Sequence, residues 1–202
     1  METLRIAVTG GAGFIGHHLV NRLVKDGHEV VILDNLSTGK KENLNKDAKF
    51  IKGDIRDNDD VRRATSDMDI VFHLAALTDV RKCEEAIYDV YFLGSKNVFE
   101  LSKKVVFTSS AAVYGNLTPC KESSECKPIS QYGKSKLRAE KILNNSFIVR
   151  LFNVYSVGGH GVINTFCSKI PRYEDITVFG TGLQTRDYVH VNDVVSALLL
   201  GV

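Results

Sequence analysis

The sequence predicts an α/β fold, a doubly wound parallel sheet with helices on both faces. Three observations carry this. An apolar run over residues 4–8 enters glycines at 10, 13 and 16, and a helical repeat of Ile15, Leu19 and Leu23, with Val20 and Val24 beside it, follows at once. Short strand-like runs and helical stretches then alternate along the chain, as parallel strands with crossover helices require. Several strand-like runs end in small or hydroxyl residues, which leaves room for a ligand at the carboxyl edge of the sheet.

The first unit reads as strand, tight turn and helix. Gly10 allows a sharp bend, Gly13 lets a phosphate approach the backbone, and Gly16 lets the helix pack close to the strand. The helix opening at Phe14 and Ile15 points unpaired N–H groups and a positive dipole end outward, so the pyrophosphate of a dinucleotide is expected on the amides of residues 12–15. Asp26-Gly27 closes the helix with a glycine at its C-cap. The second strand, 29–33, ends in Asp34, an acid suited to the ribose hydroxyls of NAD and repulsive to the 2′-phosphate of NADP. Asn35, Ser37, Thr38 and Gly39 follow as a polar loop beside the adenosine end, and Lys40 and Lys41 read as solvated loop residues.

Residues 48–52 form a third strand, after which come Asp54 and Ile55. Asp54 either accepts from the adenine amino group or caps the helix that starts near Asp57. The fourth strand, from 69, runs into Leu74, Ala75 and Ala76. His73 lies within its pattern and reads as a buried, hydrogen-bonded histidine rather than a base. A helix over 79–103 leads to a fifth strand at 104–108, which opens onto Thr108-Ser109-Ser110. A polar loop fills 115–130, and Ser130 caps a helix whose apolar marks are Leu137, Ile142 and Leu143. A sixth strand spans 147–151. Beyond Asn153 the pattern loosens into a glycine loop at 158–161, a helix at 162–170 stopped by Pro171, short strands at 176–179 and 186–190, and a last helix capped by Asn192.

Tyr132 and Lys136 stand four apart on one helix face. A phenol is a poor base at its ordinary pKa near 10, and a lysine cation beside it favours the phenolate. A phenolate can take a proton from an alcohol while a nicotinamide takes the hydride from the same carbon. Thr108, Ser109 and Ser110 offer three candidate hydroxyls to complete the site.

Bulk composition bounds the alternatives. A chain of 202 residues with 44% hydrophobic and 25% charged residues is ordinary for a globular protein, and a net charge of +2 gives no argument for nucleic acid. The four cysteines at 83, 120, 126 and 167 lack metal-finger or redox spacing, so no metal is expected and free thiols in the cytoplasm are, with a Cys120–Cys126 disulfide as the minor alternative. The apolar stretch near 194–202 is too short to span a bilayer, so no membrane partner is expected.

Together these motifs resemble the NAD-dependent epimerase/dehydratase branch of the extended short-chain dehydrogenase/reductases. The matching pieces are 9–16, 34–36, Asp54, 73–76, 108–115, 132–136 and 186–190, in the family's order and over nearly the whole chain. The resemblance implies a Rossmann domain over 1–152 and an incomplete C-terminal substrate lobe over 153–202. It implies NAD as cofactor, a nucleotide sugar of the UDP-glucose/UDP-galactose type as substrate, and a homodimer through helices near 79–103 and 130–143. Tyr132 would be the acid/base, Lys136 its activator and ribose ligand, and Ser110 the hydroxyl on the sugar oxygen. Thr78, Asn153 and Arg186 would contact the substrate, the last with its diphosphate unless it pairs with Asp187 instead. Related dehydratases place acids after the strand-end hydroxyl, whereas this chain has Ala111 and Ala112, which argues for hydride shuttling in a 4-epimerase. A coenzyme-binding protein without turnover and a nucleotide-sugar reductase or dehydrogenase are the alternatives.

Overall fold

A computed structural model describes residues 2–76, 89–143 and 146–202. Strand β1 (Arg5–Thr9) sits between β2 (Glu29–Asp34) and β4 (Ile70–His73), with β3 (Lys49–Lys52) outside β2 and then β5 (Val105–Ser110) and β6 (Phe147–Leu151) beyond β4. All pairings in this six-stranded sheet are parallel, in the order β3-β2-β1-β4-β5-β6. The order reverses between β1 and β4, and a crevice opens at the carboxyl ends of the strands there.

Burial on both faces explains the continuous apolar character of the central strands. On one face α1 (Phe14–Lys25) and α6 (Val191–Leu199) bring Leu19, Leu23, Val194 and Leu198 against Ile6, Val8, Ile32 and Phe72. On the other, α2 (Asn58–Thr65) and α3 (Ser95–Glu100) bring Val61, Ala64 and Val98 against Ala7, Leu33 and Val71. Each such Leu or Val side chain contributes about 1.5–3 kcal/mol by leaving water. α4 (Gln131–Ile142), capped by the Ser130 hydroxyl accepting from the Gly133 amide, covers β5 through Ala139.

The expected alternation holds, and several local expectations do not. Asp57, not Asp54, caps α2, by accepting from the amides of Asp59 and Asp60. His190, not Asn192, caps α6, because its Nδ1 lies where the Asn192 amide can donate to it. The buried stripe of α4 is Gly133, Ser135, Lys136, Ala139 and Glu140; of the apolar marks, Leu143 packs against the core beneath, Leu137 is half-buried and Ile142 is exposed. α5 (Val162–Lys169) does end before Pro171 as expected, with a short 3-10 turn, Ile170–Arg172, following it. Residues 176–179 form no strand. The strand β8 (Tyr188–His190) finds its parallel partner in β7 (Asn153–Tyr155), which periodicity missed because three residues carry no readable pattern. The segment 153–202 thus supplies a two-stranded sheet and also α6, whose apolar face belongs to the core beside β1. Thr78, Cys83, Asn144 and Asn145, and the first part of the expected 79–103 helix lie outside the described residues. That helix is seen as a π turn over Asp89–Gly94 leading into α3.

Candidate active site

A cavity of about 840 Å³ follows the carboxyl edge of the sheet, within the usual size of ligand pockets, roughly 300–1,000 Å³. At its floor, Gly10 has φ +73° and a Cβ there would lie 2.7 Å from the Ala75 amide nitrogen, while a Cβ on Gly16 would lie 2.1 Å from the Gly10 carbonyl. Only glycine meets both demands. Gly13 is the N-cap of α1, and the first-turn amides of Phe14 and Ile15 face the cavity end without helical acceptors of their own. The Ala12 amide, by contrast, donates to Asp34 Oδ2 at 3.0 Å. The anion cradle is therefore narrower than residues 12–15, because that amide already serves the carboxylate.

Asp34 is 8% exposed, and its Oδ1 accepts from the Leu36 amide at 2.8 Å. These two bonds fix the carboxylate at the cavity edge with lone pairs left over for ribose hydroxyls. A Cβ on Gly39 would strike Asp34 Oδ1, so Gly39 makes room for the acid without itself lining the cavity. Asn35, Ser37 and Thr38 line the same end, with the Ser37 amide donating to Asn35 Oδ1 at 2.9 Å. Asp54 accepts from Asn35 Nδ2 at 2.9 Å and from Arg56 Nε and Nη2 at 2.9 and 2.8 Å. The Arg56 guanidinium holds its carboxyl down at about 2. Ile55, Leu74, Ala75 and Ala76 complete the lining there.

The reactive end gathers Thr108, Ser110, Tyr132 and Lys136. Ser110 is hydrogen-bonded to the Tyr132 phenol and accepts from the Ala112 amide at 3.2 Å. Thr108 donates its hydroxyl to the His73 carbonyl at 3.0 Å, and Ser109 keeps a buried hydroxyl with no hydrogen-bond partner among the described residues, so Ser110 is the hydroxyl placed on the phenol. Lys136 Nζ donates to the Thr108 carbonyl at 2.7 Å and lies 4.6 Å from the centre of the Phe107 ring. The electrostatics differ from the sequence argument. Burial raises Tyr132 above the ordinary phenol value, with the Ser110 hydrogen bond as the opposing effect. Burial likewise lowers Lys136, to about 7, against the pull of Glu140. The lysine does not by itself bring the phenol towards neutrality, because both groups lose their water.

His73 is the buried, bonded histidine expected, paired with Thr9 Oγ1 at 2.6 Å and Ser95 Oγ at 2.9 Å, and burial lowers it to about 3. Asn153 and Arg186 do not line the cavity. Asn153 Nδ2 donates to the Asp187 carbonyl at 2.9 Å, which ties β7 to β8, and Arg186 donates to the Thr185 carbonyl at 2.8 Å, with no ion pair to Asp187 among the described residues. Sequence reasoning missed Arg56, Phe152, Val154 and His160 in the cavity wall. Arg56 had a signal, its place directly after Asp54 and Ile55, and His160 in its glycine loop had none.

The model of the NAD dependent epimerase/dehydratase family matches residues 6–201. The chain belongs to this family. A Methanocaldococcus jannaschii member provisionally named UDP-glucose 4-epimerase is 41% identical over 222 residues, which is 98% of this chain and 73% of that one. The UDP-glucose 4-epimerase of Thermotoga maritima, solved with UDP-glucose, superimposes with a TM-score of 0.90 at 36% identity, over 98% of this chain and 72% of that one. The Thermus thermophilus UDP-glucose 4-epimerase, solved with NAD, gives 0.87 at 33%, over 98% and 74%. NAD is the cofactor of this family, and the glycine cradle, the fixed Asp34 carboxylate and the cavity volume of this member fit it. Among the described residues no helix is long and apolar enough to cross a membrane.

Proposed function

We propose that this family member is a nucleotide-sugar 4-epimerase that interconverts UDP-glucose and UDP-galactose. The observation that carries the reading is the Ser110–Tyr132 hydrogen bond with Lys136 one helical turn away, at the end of β5, which β1 and β4 separate from Asp34 at the end of β2. The relatives' names support the substrate. NAD, when bound, supplies the hydride acceptor and donor for the sugar C4.

The protein's own part is proton transfer and placement. Tyr132 takes the proton of the C4 hydroxyl and later returns it, and Ser110 holds that oxygen in line. Lys136 favours the phenolate and reaches the ribose, with Thr108 fixing its Nζ. Gly10, Gly13, Gly16, Phe14 and Ile15 receive the pyrophosphate, and Asp34 takes the ribose hydroxyls. Asn35, Ser37, Thr38, Asp54 and Ile55 surround the adenosine. Residues 1–152 thus hold coenzyme and base, and the segment 153–202 meets the sugar nucleotide through Val154 and His160. The roles of Asn153 and Arg186 towards substrate require that it extend beyond the cavity, and that of Thr78, outside the described residues, rests on the resemblance alone. A groove in which Phe92, Leu93, Ile142 and Leu143 stand beside Lys96, Glu100 and Lys103 suits a homodimer, which sedimentation would detect. Free thiols at Cys120, Cys126 and Cys167 suit the cytoplasm.

The test is conversion of UDP-galactose to UDP-glucose by the purified chain with NAD. Tyr132→Phe is expected to lower kcat by about 10³, within the usual range for a lost general base, and to leave NAD affinity near that of the wild type. An NAD-loaded wild-type protein that converts no UDP-galactose overturns the reading and leaves coenzyme binding without turnover.

A further inference from the structure

Helix α4 carries one more charged group on its buried stripe. Tyr132, Lys136 and Glu140 succeed one another at four-residue spacing, so they share a face. The Glu140 side chain is 6% exposed, and Arg150 of β6 clamps its carboxylate, with Nη2 2.7 Å from Oε2 and Nε 3.1 Å from Oε1. The same guanidinium donates through Nη1 to the Tyr114 hydroxyl at 2.9 Å and to the Glu122 carbonyl at 3.2 Å, and lies 5.0 Å from the centre of the Tyr114 ring. Arg150 therefore joins β6, α4, the polar loop and the short turn Ala111–Tyr114 that starts directly after Ser110. Desolvation offsets much of what a buried ion pair gains, so such a pair is a weak source of stability and a good fixer of geometry.

We propose that the Glu140–Arg150 pair is a positioning unit for the reaction, which registers the helix bearing Tyr132 and Lys136 against the turn that follows Ser110 and sets a carboxylate one helical turn from the Lys136 ammonium. The inference rests on the epimerase reading of the same site. The carboxylate matters because Lys136 is 3% exposed and burial works against its charge. Among the described residues, the titratable neighbours of the ammonium besides Glu140 are Tyr132 on its own helix and His73 on β4, which burial keeps neutral. β5 offers the Thr108 carbonyl and the Phe107 face, neither of them charged, and the helical turn packed on α4 starts at Asp89, whose side chain lies outside the described residues. Glu140 is the anion that opposes the loss of the proton from Lys136. Without it the lysine pKa falls, and the ammonium is depleted as pH rises through neutrality.

The experiment compares wild type with Glu140→Gln, which keeps volume and hydrogen-bonding atoms. Expected are a kcat for UDP-galactose lower by about tenfold, a KM within about twofold, and an alkaline limb of the kcat profile displaced to lower pH by about one unit, the size of effect a close opposite charge exerts. A purely structural role would move the melting temperature and not the pH limb. If Glu140→Gln does not fold, the double variant Glu140→Gln with Arg150→Met removes both charges together, and the same downward displacement is expected. In parallel, the Lys136 Nζ is titrated by NMR in ¹⁵N-lysine protein, where the carboxylate-free variant should titrate lower than wild type. A folded variant with wild-type kcat, pH limb and Lys136 titration overturns the inference. If wild type itself binds NAD but converts no UDP-galactose, the epimerase reading fails and the lysine titration alone decides this one.

Discussion

The coenzyme edge of the sheet and the segment over 156–187 obey different rules. At the coenzyme edge, backbone approaches backbone so closely that the residue type is dictated. A Cβ on Gly16 would lie 2.8 Å from the Gly11 Cα as well as against the Gly10 carbonyl, and Ile6, Val8 and Ile32 beneath are fully buried. Over 156–187, large apolar side chains stand in the open: Val157 is 90% exposed, Phe179 80% and Leu183 84%. The chain there is held by exposed bonds such as Lys169 Nζ to the Asp175 carbonyl at 2.9 Å and Gln184 Nε2 to the Phe179 carbonyl at 3.0 Å. One region is specified by sterics on every side, the other by a few local bonds that water competes for.

The comparison breaks first at its tight end. Gly16→Val drives a branched side chain into two pieces of backbone that cannot yield without moving β1 or α1. The expected result is loss of NAD binding altogether, read by calorimetric titration, with a lowered melting temperature. A Gly16→Val protein that bound NAD like wild type would show that the turn is not the coenzyme's seat.

This contrast also explains how far the sequence could be read. The alternation of parallel strands and crossover helices was legible because the central strands are unbroken apolar runs and the helix after Gly13 has its own period, signals contained within a dozen residues; the strand order itself came only from the structure. The glycine turn was legible for a related reason: the close backbone approach itself requires Gly10 and Gly16, and Asp34 stands at the end of the second strand where the Ala12 and Leu36 amides hold it. Tyr132 and Lys136 were legible as a spaced pair, but the balance of their charges was not, since desolvation depends on how β4, β5 and α4 close around them. Residues 176–179 look like a strand by composition but pair with no strand among the described residues, and composition alone does not supply a partner. The caps at Asp57 and His190 were misplaced by a few residues for a similar reason: several side chains nearby can cap, and only the path of the chain decides which one does.

A smaller effect sharpens the boundary by showing that it follows burial rather than position along the chain. Leu198 belongs to the C-terminal segment, yet it is fully buried on α6 against the same core as Leu19 and Phe72. Leu198→Ala is expected to cost about 3 kcal/mol, as for other buried leucines, in urea unfolding followed by circular dichroism. A cost near zero would mean that α6 is an ornament on the sheet rather than part of it.

His73 tests the buried side by pH. Its folded-state pKa of about 3 lies below that of an unfolded histidine near 6.5, so between those values the unfolded chain binds a proton that the folded one refuses. Stability is then fully present above pH 6.5 and falls as pH drops, at up to about 1.4 kcal/mol per unit from this residue alone. Asp54, held near 2, adds its own loss only below about pH 4, where an ordinary carboxylate begins to protonate and this one does not. Urea unfolding at pH 7, 6 and 5 should show the decline, and His73→Gln should flatten it over that range even if it lowers stability overall. An unchanged slope in the variant would assign the acid sensitivity to another group.

The smallest expected effect lies on the open side. Phe179→Ser removes an aromatic ring that is 80% exposed and whose backbone carbonyl, not its side chain, makes the local bond to Gln184. Its cost should stay within about 0.5 kcal/mol, the usual range for a surface change that touches no cap, pair or cavity. The same urea titration used for Leu198→Ala measures it, and the two numbers are to be read together. If Phe179→Ser cost as much as Leu198→Ala, the ring would have to be covered in solution by something its exposed placement does not reveal, and the division between a sterically specified edge and a loosely held segment would fail at its loosest point.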